Sequence, residues 1–204
     1  MRIKICGLRT VDDVNAAVSA GATAVGFVFA PSVRQVTVEE ARALVDAVPP
    51  GVEAVAVFGA VADPALVEKV LTLGVDAVQA GTEPDGLRRA GVFFLRSVAD
   101  GPDLEARLGP PNVGTILSGS LRGCVLIDST AAGGSGRVGD WDRIESAAAG
   151  HPFVLAGGLT PDNVAEAIRA VRPIGVDVSS GVESAPGVKD PARIEAFVRA
   201  AKGA

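Results

Sequence analysis

Ala24-Val25-Gly26-Phe27-Val28-Phe29 is a run of six residues without a single polar side chain. A strand with one face in water alternates apolar and polar residues. A run that is apolar throughout suits a strand covered on both faces, and such strands are parallel and joined by helical crossovers. Working outward, comparable apolar or β-branched runs occur at residues 2–6, 53–58, 77–79, 92–96, 124–128, 153–156 and 175–178, which with 24–29 makes eight. Each run and the amphipathic stretch after it occupy about 25 residues, the size of one βα unit.

The stretches between the runs open on helix-start signals: Thr10-Val11-Asp12-Asp13, Thr37-Val38-Glu39-Glu40, Asp63-Pro64, Asp140-Trp141-Asp142, Thr160-Pro161-Asp162 and Asp190-Pro191. Thr and Asp accept hydrogen bonds from first-turn N–H groups, and proline at the first helical position removes an N–H that has no partner there. Eight such units close most simply into a single α/β domain, a (β/α)8 TIM barrel over residues 1–204, and no interdomain linker interrupts them. The competing architecture is an open doubly wound sheet. Residues 97–123 are the least regular part, because Gly109-Pro110-Pro111 breaks any long helix.

Composition narrows the function classes. With 204 residues, 48% of them apolar, and a mean hydropathy of +0.36, the chain is expected to be a folded, soluble body. Nineteen Lys and Arg against 24 Asp and Glu give a net charge of -5, and no block of five like charges occurs, which argues against nucleic-acid or anionic-membrane partners. The two cysteines, Cys6 and Cys124, lie far apart, and Met1-Arg2-Ile3-Lys4 does not begin an apolar signal segment, so a reducing cytoplasm is expected. No apolar run reaches the roughly 18 residues of a membrane-spanning helix. His151 is the single histidine, which excludes a histidine-rich metal site, and no dinucleotide fingerprint is present. The oligomeric state stays open, with a monomer the simpler reading.

Parallel barrels carry their chemistry at the carboxyl ends of the strands and in the loops that follow. That rule selects Cys6 at the end of the first run, Arg34 in the loop after the second and Asp128 at the end of the sixth. It also selects Gly157-Gly158 after the seventh, Asp177 on the eighth, and Ser179-Ser180-Gly181 after it. Taken alone, Cys6 reads first as a small core residue, and Asp128 reads equally as a loop or cap residue. Together they form a base and an acid on opposite sides of one mouth, the pairing needed to move protons beside a carbonyl or imine. That role demands an aspartate raised by burial and a thiol lowered by nearby cations and helix N-termini. Glycines after two adjacent strands let backbone N–H groups converge on a phosphate. Ala132-Gly133-Gly134-Ser135-Gly136-Arg137 reads as a cover for the site. Cys124 starts the sixth run at the opposite end of the barrel and reads as core, and Trp141 reads as packing for its helix.

Several strings match a known pattern: Lys4-Ile5-Cys6-Gly7-Leu8, Gly26-Phe27-Val28-Phe29 with Ser32-Val33-Arg34, Leu126-Ile127-Asp128-Ser129 with Gly133-Gly134-Ser135-Gly136, and Leu155-Ala156-Gly157-Gly158-Leu159 with Asn163-Val164. Most specific is Gly175-Val176-Asp177-Val178-Ser179-Ser180-Gly181-Val182-Glu183-Ser184 with Gly187-Val188-Lys189-Asp190. Over nearly its full length the chain resembles the phosphoribosylanthranilate isomerases of tryptophan biosynthesis. The resemblance implies a (β/α)8 barrel and a cofactor-free Amadori rearrangement of a small phosphorylated substrate, N-(5-phosphoribosyl)anthranilate. It implies Cys6 as general base, Asp128 as general acid, Arg34 at the anthranilate carboxylate and Asp177 beside the substrate amine. The phosphate falls to Gly157, Gly158, Ser180 and Gly181. Departures are Val78-Gln79-Ala80-Gly81-Thr82, where the family commonly has a histidine, Gly139 in place of an aromatic, and a poor match over residues 92–123. The related isomerase of histidine biosynthesis has an aspartate where this chain has Cys6, and needs a second glycine-rich phosphate loop that Phe58-Gly59-Ala60 and Ala80-Gly81-Thr82 do not supply. A silent phosphate-ligand binder has no use for Cys6 with Asp128.

Overall fold

A computed structural model, which describes residues 1–85, 87, 91–109, 124–129 and 140–204, turns the eight runs into parallel strands. They are β1 (Arg2–Cys6), β2 (Ala24–Val28), β3 (Glu53–Val57), β4 (Ala77–Ala80), β5 (Phe93–Ala99), β6 (Val125–Asp128), β7 (Phe153–Ala156) and β8 (Gly175–Val178). Each pairs with its neighbour in sequence, and β8 pairs with β1, so the sheet closes into a barrel and the open doubly wound alternative is excluded. Helices α1 (Val11–Ala20), α2 (Val38–Asp46), α3 (Pro64–Leu71), α4 (Leu104–Leu108), α5 (Trp141–Ala147), α6 (Val164–Val171) and α7 (Pro191–Lys202) complete the described elements around it.

Period-2 alternation splits every strand between two cores. Along β1, Ile3 and Ile5 join the larger cluster with Val14 and Ala17 of α1 and Phe197 of α7, between sheet and helices. Cys6 instead joins Ala24, Val55, Leu95, Leu126 and Val154 in the inner cluster, which fills the barrel itself. Cys124, just before β6, belongs to that inner cluster and is 3% exposed, as a core residue should be.

Thr10 and Thr37 form capping boxes with Asp13 and Glu40, and Asp63, Asp140 and Asp190 each accept a first-turn N–H. The start expected at Thr160 is displaced. Its N–H donates to Asn163 Oδ1 at 2.8 Å, Asn163 Nδ2 donates to Gly158 O at 3.0 Å, and α6 begins only at Val164. Asn163 thus ties down the loop after β7. Strand β5 runs past the expected end because Ser97, Val98 and Ala99 pair with Leu126, Ile127 and Asp128. After β8 the chain makes a 3-10 turn, Ser180–Val182, then a hairpin of β9 (Glu183–Ala185) and β10 (Val188–Lys189) that turns at Pro186-Gly187 and is absent from the eight-unit reading of the sequence. The glycine-rich stretch read as a cover, Gly139 and residues 110–123 lie outside the described residues.

Candidate active site

The carboxyl ends of the strands enclose a cavity of about 250 Å³ lined by Cys6, Arg34, Asp128, Gly157, Gly158, Asp177 and Ser180, with Gln79, Ser97 and Ser179. Every residue selected from the sequence is therefore at this mouth except Gly181. A Cβ on Gly181 would sit 1.8 Å from Leu159 O, so glycine is required there for the loop after β8 to lie against the loop after β7. It brings the two loops together and does not itself line the cavity.

One arc of the mouth is held by charge pairs. Lys4, 1% exposed inside the barrel, donates from Nζ to Asp177 Oδ1 at 2.9 Å, across paired positions of β1 and β8. Arg34 binds Glu183 with both arms of its fork, Nε to Oε1 at 2.7 Å and Nη2 to Oε2 at 2.8 Å. Lys189 donates to Glu183 Oε1 at 2.7 Å and to Ser179 O at 3.0 Å, and Ser179 Oγ donates to Cys6 O at 3.1 Å. Two of the five guanidinium N–H groups of Arg34 go to Glu183, which fixes the plane of the fork beside the cavity and leaves three donors outside that pair.

Burial tends to raise the Glu183 carboxyl, but hydrogen bonds from Arg34 and Lys189 overcome it and hold it at about 2. Burial also pushes the Asp177 carboxyl up, against the pull of Lys4. A buried ammonium without its counter-charge costs more than the pair, so Lys4 and Asp177 each depend on the other. The thiol departs from the sequence expectation. Burial pushes Cys6 above the usual thiol range; Lys4 and Lys189 pull it down, and Asp177 pushes it further up. Of the two carboxyls, Asp177 is the buried one and Asp128 is only partly buried.

The end of β6 is secured from its neighbours. Asp100 N–H donates to Asp128 O at 2.8 Å, and Arg143 of α5 grips the Asp100 carboxylate through Nε at 3.1 Å and Nη2 at 2.5 Å. Among the described residues no group of His, Cys, Asp and Glu is arranged to hold a metal ion, and no helix is long and apolar enough to cross a membrane.

The sequence reading had assigned no role to Lys4, Glu183 or Lys189. Only Lys4 had left a signal. A charge in the middle of a strand buried on both faces, two residues before Cys6, must share the inward face with it.

A family model for N-(5'-phosphoribosyl)anthranilate isomerase matches residues 3–200. The chain belongs to this family. Among phosphoribosylanthranilate isomerases, one from Pseudomonas putida is 42% identical over all of this chain and 98% of its own length. One from Pseudomonas fluorescens is 40% identical over 99% of this chain and 96% of its own. The crystal structure of the Thermotoga maritima isomerase superposes with a TM-score of 0.81 at 36% identity, each chain fully covered. An isomerase of this family solved with reduced 1-(o-carboxyphenylamino)-1-deoxyribulose 5-phosphate superposes with a TM-score of 0.79 at 34% identity, again with both chains fully covered.

Proposed function

We propose that the chain converts N-(5'-phosphoribosyl)anthranilate into 1-(2-carboxyphenylamino)-1-deoxyribulose 5-phosphate, with Cys6 as general base and Asp128 as general acid. The observation that carries this reading is the convergence of Cys6, Asp128, Asp177 and Arg34 on one cavity bordered by Gly157-Gly158 and Ser179-Ser180. Protonated Asp128 gives its proton to the ribose ring oxygen as the C1–O bond breaks and the amine lone pair forms an iminium. Cys6 thiolate then removes the C2 proton, and the C–H electron pair forms the enolamine, which relaxes to the ketone. No oxidant or cofactor enters this balance.

Arg34 holds the anthranilate carboxylate and Asp177 lies beside the amine. The loops after β7 and β8, with Gly157, Gly158 and Ser180 at the mouth and Gly181 holding them together, take the phosphate. Fixing both ends of the substrate supplies the orientation that makes proton transfer effectively intramolecular. The same reading puts the reaction in the cytoplasm and in one domain, with no nucleic-acid or membrane partner, and leaves the oligomeric state open.

The test is single-turnover conversion of phosphoribosylanthranilate by the parent and by Cys6→Ser. A hydroxyl cannot supply an anionic base near neutral pH, so kcat should fall by about a thousandfold, within the range general base catalysis contributes, while phosphate binding is kept. Turnover within about threefold of the parent would remove Cys6 from the mechanism.

A further inference from the structure

We propose that Lys4 is a positioning residue for the base: its buried ammonium stabilises the thiolate form of Cys6 inside the barrel while anchoring Asp177. The proposal rests on Cys6 being the base. Lys4 and Cys6 are alternate residues of β1 and both face the interior, and the position paired with Cys6 across the ladder is Gly26 of β2. A Cβ on Gly26 would lie 3.0 Å from Cys6 Sγ and 3.2 Å from Lys4 Nζ. Both atoms therefore flank one small space that only glycine leaves open, within the roughly 6 Å over which an opposite charge favours the ionised form. The ammonium has three donors. Asp177 Oδ1 takes one at 2.9 Å, and the others remain on the side chain that faces the space shared with Sγ.

The other charges that face Cys6 are Asp177 on β8, Lys189 on β10 and Arg34 in the loop after β2. Lys189 and Arg34 are both committed to Glu183, at 2.7 Å each, which compensates their charge. Asp177 opposes the thiolate. Lys4 is accordingly the strongest influence favouring ionisation, against the burial that opposes it. Lys4 is protonated throughout the working range, because Asp177 and Cys6 outweigh the burial that would discharge it. Lys4 thus favours an anionic base at a mouth that has no histidine.

The experiment uses the full chain carrying Cys124→Ala, so that Cys6 is the sole thiol, and follows its alkylation by iodoacetamide as a function of pH. Lys4→Met is compared with the parent. Because an unpaired Asp177 can keep that variant from folding, Lys4→Met/Asp177→Asn is also compared with Asp177→Asn. The midpoint should rise by about one unit or more in both comparisons, a roughly tenfold slower alkylation near neutral pH. Within each pair kcat should fall in parallel, with KM inside about threefold. Lys4→Arg, which keeps the charge, should recover part of the alkylation rate. Midpoints within about 0.3 unit in both comparisons would overturn the proposal. A shifted midpoint with unchanged turnover would instead overturn the role of Cys6 as base, so the two failures are distinguishable.

Discussion

Two arcs of the same mouth are built on opposite principles. On the side of β1, β8 and the β9–β10 hairpin, Lys4 meets Asp177, Glu183 meets both Arg34 and Lys189, and Ser179 ties the hairpin to the end of β1. On the side of β4 and β5, Gln79 Oε1 and Ser97 Oγ are buried at the cavity with no hydrogen-bond partner among the described residues. The first arc is ordered before any substrate arrives, so its charges need no reorganisation during the reaction. The second carries polar atoms whose desolvation nothing in the described protein offsets, a cost of about 1–3 kcal/mol for each such atom. Specific charges thus concentrate on the side of Cys6, Arg34 and Asp177, and the opposite wall contributes polar atoms without partners among the described residues.

The largest expected effect comes from breaking the charged arc at its centre. Glu183→Gln keeps the shape but leaves Arg34 and buried Lys189 without a counter-charge, and should cost about 3–5 kcal/mol in urea unfolding. A loss below about 1 kcal/mol would mean the arc is no stiffer than a surface pair.

The pH dependence follows from the same residue. Its carboxyl is held at about 2 when folded, against 4.5 as an ordinary glutamate. The folded value is the lower one, so its stabilisation is complete above pH 4.5 and is lost as pH falls toward about 2. On the order of 2 kcal/mol, allowing for solvent screening, should disappear across that window. In Glu183→Gln this component should be absent, and an identical acid limb in both proteins would assign the loss to other carboxylates.

Gly26→Ala probes the narrow space between Sγ and Nζ. The added methyl meets the thiol at 3.0 Å and the lysine at 3.2 Å, so overpacking of about 1–3 kcal/mol is expected in thermal or urea unfolding. Wild-type stability there would show that the lysine gives way freely. The smallest effect belongs to the other arc: Ser97→Ala removes a buried hydroxyl that lacks a partner, and unfolding free energy should stay within about 0.5 kcal/mol or rise. A loss above about 1 kcal/mol would mean Ser97 is bonded in solution, and the contrast between the arcs would shrink.

How much of this was legible depended on how local the cause was. Thr10, Thr37, Asp63, Asp140 and Asp190 mark helix starts because each side chain bonds an N–H two or three residues away. Thr160 misled because a competing side chain, Asn163, lies within the same three residues and makes a turn first. The far end of β5 escaped notice because Ser97 is extended only through its pairing with Leu126. Cys6, Asp128 and Asp177 could be placed at the mouth because a parallel barrel sends every strand end to one face, wherever the chain around it runs.

The order of apolar runs and caps was enough to specify eight parallel strands and the face that carries the chemistry, since burial on both faces and capping act over a few residues. The resemblance carried by the strand-end motifs added the family. The charge network was decided only in three dimensions. Lys4 finds Asp177 across 173 residues and Arg34 finds Glu183 across 149, and the hairpin that delivers Glu183 and Lys189 follows no periodic pattern. Whether a buried thiol leans toward its neutral or its ionised form depends on the distance and shielding of each of those charges. Such quantities exist only once the barrel has closed.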